Sequence, residues 1–172
     1  QSTSEDCGTV TNNSSTYTHP AFTLGTQALT GIWVGKFENS APIAESNTVQ
    51  VVKILPNVIS WRNATVSNFN TSIKNIKTDY AMANADTHMM KNMEWGAVAY
   101  LKQSQYGLGI TDIGINNNNT YKTGCGATAG SATVATCDAY NTTNGQKAST
   151  TGTIYGVYDM SGGAWEYVMG NM

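Results

Sequence analysis

From Leu108 to about Thr153 the chain holds no sustained apolar period, and most of it reads "GINNNNTYKTGCGATAGSATVATCDAYNTTNGQKASTTG". A stretch of this kind restricts the possible architectures, because structureless loops beyond about 12–15 residues are usually functional or disordered. Cys125 and Cys137 bracket "GATAGSATVAT", a run too flexible to order itself cheaply. A disulfide there would remove about 3 kcal/mol of unfolded-state entropy in the chain-entropy model. The segment is therefore expected to be a surface excursion pinned by a Cys125–Cys137 bridge. Metal binding is the other reading of these cysteines, but the chain has no CxxC and its two histidines, His19 and His88, lie far from any cysteine. Cys7, in "SEDCGTV", is left over as a free thiol or pairs outside the chain.

The composition points to an extracellular setting. Charged residues make up 12% of the 172, well below the roughly 25% of ordinary soluble proteins, so solubility rests on Asn, Thr, Ser and Gly. The formal net charge is -2 without charge runs, which leaves no basic stripe for nucleic acid. No apolar run reaches the ~18 residues of a membrane span, and Gln1 opens a polar stretch rather than a signal peptide. Residues 1–18 read as a polar arm or linker, and residues 19–172 as one domain.

Outside the long stretch the periods are informative. "ALTGIWVGKFEN" and "NTVQVVKIL" are rich in strand formers, the second stopped by Pro56, and predict two strands. In "VSNFNTSIKNIKTDY", Phe69, Ile73, Ile76 and Tyr80 fall at i, i+4, i+7 and i+11, with Ser67 placed to cap. A second helix is predicted in "NMEWGAVAYLKQSQYG": Asn92 caps it, Met93, Ala97, Tyr100 and Leu101 share a face, and Gly107 ends it. The fold class is thus α+β, with two helices, short strands and long loops.

The closing "TIYGVYDMSGGAWEYVMG" is similar to the G-(L/I/V)-Y-D-M-x-G-N-x-W-E-W signature of the formylglycine-generating enzyme (sulfatase-modifying factor) family, whose fold is C-type-lectin-like. It reads here as Gly156, Val157, Tyr158, Asp159, Met160, Ser161, Gly162, Gly163, Ala164, Trp165, Glu166 and Tyr167. "GIWVGKFEN" resembles the family's early strand, and "MEWGAVAYL" its VSWEDAxAYC helix, so the likeness runs over about residues 29–172. A closer resemblance is to secreted Firmicutes proteins that join such a domain to a prepilin-like helix. In the enzymes the reactive cysteine pair lies C-terminal of W-E-W, and no residue of this chain matches it. The resemblance therefore implies an incomplete C-type-lectin-like domain without the oxidase activity. It also implies a calcium site through Asp159, the carbonyls of Gly162 and Ala164, and Glu166, although Gly163 replaces the family's Asn. The alternative is that Asp159 caps a turn and Glu166 pairs with a backbone amide or a cation.

Other candidates compete with plain structural roles. Trp33, Trp61, Trp95 and Trp165 suggest a sugar platform, but three of them lie in the apolar segments, which favours core packing. His88, between Asp86 and Glu94, is either half of an acid–base pair or a histidine making an ordinary hydrogen bond. Asn116, Asn117, Asn118, Asn119 and Tyr121 resemble an adaptable binding loop, with a solvated loop as the plain reading. Sequons stand at Asn12, Asn13, Asn63, Asn70, Asn118 and Asn141, as expected by chance in so Asn- and Thr-rich a chain.

Three functions follow. The first is a secreted or cell-surface, noncatalytic binding or adhesive protein that presents loops to a protein or glycan ligand. The second is a subunit of a pilus-like filament, with identical or related subunits packing on residues 154–172. The third is a fragment of a formylglycine-generating-type oxidase.

Overall fold

The computed structural model describes residues 19–127 and 136–170. Cys7 and the sequons at Asn12 and Asn13 lie outside the described residues. Two compact units divide the chain between Ile32 and Trp33. In the first, the 3-10 turn Pro20–Phe22 leads into a two-stranded hairpin, β1 (Thr23–Leu24) and β2 (Gln27–Ala28). Gly25 supplies the positive φ (60°) that its two-residue turn requires.

The second unit holds β3 (Asn39–Ser40), β4 (Lys53–Ile54), α1 (Val66–Asp79), α2 (Asn92–Ala99), β5 (Cys125–Gly126) and β6 (Asp138–Ala139). The fold is mixed α and β, with antiparallel pairs β3–β4 and β5–β6. Further pairing comes from single bridges, such as Ser40↔Ser60, Ile59↔Lys122, Asn116↔Gly162 and Lys91↔Met169. Neither predicted strand runs its full length. From "NTVQVVKIL" only Lys53–Ile54 pairs, and residues 33–38 form no ladder; Lys36 and Glu38 bond singly to Tyr158 and Asp159 instead. No helix among the described residues is long and apolar enough to cross a membrane.

Helix α1 follows the 3.6-residue period. Ile73 is buried, Phe69 and Ile76 pack beside it, and Ser72 between them accepts a hydrogen bond from Gln50 N (2.8 Å). The cap is Thr65 rather than the expected Ser67: its Oγ1 accepts from Asn68 N, and its own N–H donates to Asn47 Oδ1 (2.8 Å). The cap of helix α2 likewise lies earlier than expected, by one residue. Lys91 is the N-cap, and its N–H donates to Glu94 Oε2 (2.8 Å). After Ala99 the helix tightens into a 3-10 turn, Tyr100–Gln103. That change from 3.6 to 3.0 residues per turn rotates Tyr100 and Leu101 off the predicted face into solvent, while Val98 goes inward.

Two cores result. The first is apolar: Val52, Trp61, Ile73 and Met89, with Ala41, Ala64, Phe69, Ile76 and Met169 against them. Trp61 meets Phe69 edge-on at 4.6 Å and donates its indole N–H to Ser46 O (2.9 Å). The second is small and aromatic: Phe37, Tyr158 and Ala148, with Tyr140 alongside and Lys36 Nζ within 5.6–5.9 Å of the three ring centroids. Each large apolar side chain buried in this way contributes about 1.5–3 kcal/mol.

The long stretch corrects the sequence reading. Among its described residues two parts are interior rather than a surface excursion: Gly114, Asn116, Asn118, Thr123, Gly124 and Gly126 in its first half, and Gly145, Ser149 and Thr150 towards its end, are buried, while 109–112 and 141–144 are exposed. Gly145 lies so close to the Ala139 carbonyl that a Cβ there would collide with it. Cys125 and Cys137 are joined as a disulfide with Cα atoms 5.4 Å apart, beside the β5–β6 pair.

Candidate functional site

Residues 156–163 are threaded between two other segments. Tyr158 N donates to Lys36 O (2.8 Å), Asn116 N to Ser161 O (2.8 Å) and Gly163 N to Asn116 O (2.7 Å). Held on both sides, Asp159 adopts a left-handed backbone (φ 66°) and is 1% exposed. Gly124 N donates to both of its carboxylate oxygens (3.0 and 2.9 Å), Asn116 Nδ2 to Oδ1 (2.7 Å) and Glu38 N to Oδ2 (3.3 Å). Burial raises the Asp159 pKa, and these donors oppose the rise.

Glu38 completes the hub. Its Oε1 accepts from Ala164 N (2.8 Å), and its other oxygen accepts from the Ser60 hydroxyl. Burial first, and the Asp159 charge second, push the Glu38 carboxyl up to about 8. A neutral carboxylic acid is therefore favoured there near neutral pH. A side chain at Gly163 is disfavoured on two counts: its φ is 74°, and a Cβ would strike Glu38 Oε1. Glu166 differs. The residue is exposed overall, but its carboxyl end is crowded, and Oε2 accepts the Trp95 indole N–H at 2.6 Å. Burial raises its pKa, with the Asp159 charge adding to the shift and Trp95 opposing it.

This arrangement tests the calcium set. Asp159, Gly162, Ala164 and Glu166 fall on one turn, but the Asp159 lone pairs are met by protein donors, so in this arrangement Asp159 does not fit as a cation ligand. No cluster of three or more metal-ligating side chains was found among the described residues. Asp159 is a buried hydrogen-bond hub, and Glu166 accepts a side-chain N–H.

The Asn-rich loop also turns inward. Asn116 donates to Lys122 O (2.9 Å) as well as to Asp159, and Asn118 Oδ1 accepts from Thr120 N, Thr120 Oγ1 and Lys122 N. Both are buried, Asn117 is half-buried, and Asn119 remains at the surface. Tyr121 lies under the Arg62 guanidinium at 4.0 Å. Of the expected loop, the Asn116 and Asn118 side chains are thus engaged inside the fold. His88 Nε2 sits 3.2 Å from both Glu94 oxygens. Its Nδ1 is at ion-pair distance from Asp86 Oδ2 (3.1 Å) without hydrogen-bond alignment. Glu94 is at the same time tied to Lys91 N, so this group braces the start of α2.

The tryptophans divide against the core-packing expectation. Trp61 is buried and Trp95 half-buried, but Trp33 is fully exposed and Trp165 is 95% exposed. Beside Trp165, the first turns of α2 and the 162–168 segment enclose an open cavity of about 340 Å³. Asn92, Trp95, Gly162, Ala164, Glu166 and Val168 line it. Glu38, Ser60 and Gly124 belong to the hub without a sequence signal, since each acts through a tertiary contact with a distant segment. No protein-family model, curated protein or solved structure matches the chain.

Proposed function

We propose that this chain is a secreted or cell-surface, noncatalytic binding protein built on a C-type-lectin-like scaffold of the formylglycine-generating-enzyme type. One observation carries the reading. The two carboxyl groups at the centre of the hub are spent inside the fold, while large aromatic side chains stand in solvent. Asp159 and Glu38 are engaged by backbone and hydroxyl donors, whereas Trp33, Tyr155 and Trp165 are almost fully exposed. Exposed aromatics on a rigid frame offer contact area at low entropic cost, as recognition surfaces do. A disulfide and a surface of neutral polar residues suit an extracellular setting.

The test is an array of extracellular glycans and proteins probed with the full chain, with a Trp33→Ala/Trp165→Ala double variant in parallel. Ligand capture by the parent and its loss in the variant is the expected result. No ligand, together with concentration-dependent self-association by light scattering, would favour the filament subunit instead.

A further inference from the structure

The cavity between α2 and residues 162–168 has a composition that selects a class of ligand. Its wall is the Trp95 indole with Ala164 and Val168, and fully solvated Trp165 is next in the chain to two lining residues. The Trp95 N–H is committed to Glu166 Oε2, which fixes the ring and leaves Glu166 Oε1 without a partner among the described residues. Asn92 brings an exposed carboxamide to the same rim. The size falls in the roughly 300–1,000 Å³ range of small-molecule sites, which are apolar with a few placed polar groups.

We propose that this cavity binds a neutral saccharide, with the apolar face of one sugar ring on Trp95 and its hydroxyls donating to Glu166 and exchanging hydrogen bonds with Asn92. The inference rests on the binding-protein reading above and gives it a ligand class. A ring with C–H groups on one face and hydroxyls at its edge matches an aromatic wall bordered by a carboxylate and an amide. Acidic sugars are disfavoured. Among the described residues no Lys or Arg lines the cavity to pair with a second carboxyl group, and Glu166 already brings one to its rim.

The experiment is fluorine NMR of the full chain labelled with fluorotryptophan, titrated with maltotriose, cellotriose, chitotriose and trigalacturonic acid at millimolar concentration. At least one neutral trisaccharide is expected to shift the Trp95 and Trp165 resonances and leave buried Trp61 in place, while trigalacturonic acid shifts neither. Glu166→Gln should weaken the neutral ligand about fivefold, the difference between a charged and a neutral acceptor. An unmoved Trp61 resonance will show that this variant is folded. Silence at Trp95 and Trp165 with every sugar, or equal shifts with the acidic one, overturns the inference. If the array finds a ligand that leaves these two resonances unmoved, the cavity assignment fails while the binding reading stands.

Discussion

The apolar core around Trp61 and the polar hub around Asp159 solve the same problem by different means. In the first, Val52, Trp61, Ile73 and Met89 exclude water with interchangeable contacts, and only the Trp61 N–H needs a particular partner. In the second, each interior group has a named counterpart, from Gly124 N on Asp159 to Ala164 N on Glu38. An apolar core loses stability in proportion to what is removed. A hub fails by leaving partners stranded.

The sharpest way to break the comparison is Asp159→Ala, which strands Gly124 N, Glu38 N and Asn116 Nδ2 at about 1–3 kcal/mol each. Urea denaturation should show the domain largely unfolded, and a loss below about 2 kcal/mol would mean that water replaces the carboxylate freely. Trp61→Ala should cost about 3–5 kcal/mol in the same assay yet leave a cooperative transition.

The pH dependence separates the two cores further. Glu38 has a folded pKa near 8 against an ordinary value of 4.5, so the folded state holds a proton that the unfolded state has released. Its contribution is fully present below about 4.5 and is lost as pH rises through about 8. Asp159 and Glu166 are also raised and act in the same direction. Melting temperature should therefore fall as pH rises from 5 to about 9. Glu38→Gln, which can still accept from Ala164 N, should flatten that slope, and an unchanged slope would remove Glu38 from the account.

Smaller effects test the remaining assignments. Thr65→Ala should cost about 1 kcal/mol and Ser67→Ala almost nothing, since Thr65 holds the α1 cap. The smallest effect expected is that of EGTA. With the Asp159 oxygens already met by protein donors, chelation should leave the thermal transition where it was, and a drop of several degrees would restore calcium to the turn.

What could be read from the sequence follows the same division. Both helices were legible because helix periodicity is local: Phe69, Ile73 and Ile76 declare a face within three turns. Their boundaries were less so, because Thr65 and Ser67 carry the same hydroxyl, and Lys91 holds its cap position through the Glu94 carboxylate on its backbone N–H rather than through a capping side chain of its own. The strands were over-read, since the described ladders are two residues long and the other pairing is by single bridges. The long stretch was misread as surface because its burial uses Asn116, Thr123, Ser149 and close-packed glycines, none of which registers as hydrophobic. The hub was half visible. Asp159 and Glu166 stood out in a motif, whereas Glu38 and Gly124 had nothing local to mark them. Trp33 and Trp165 misled in the opposite sense, as large apolar residues in strand-like text that remain in solvent.

The partners gathered by Asp159 also set a clock for folding. Glu38, Asn116 and Gly124 precede it by 121, 43 and 35 positions, so the hub closes loops of very different lengths with one side chain. Long closures slow folding, because their entropy is lost before the contact rewards it. During synthesis the α1 core can collapse early, but Gly124 and Glu38 must wait, their amides hydrated, until residue 159 has left the ribosome. The bonds that tie these three segments together thus all wait on the arrival of a single carboxylate.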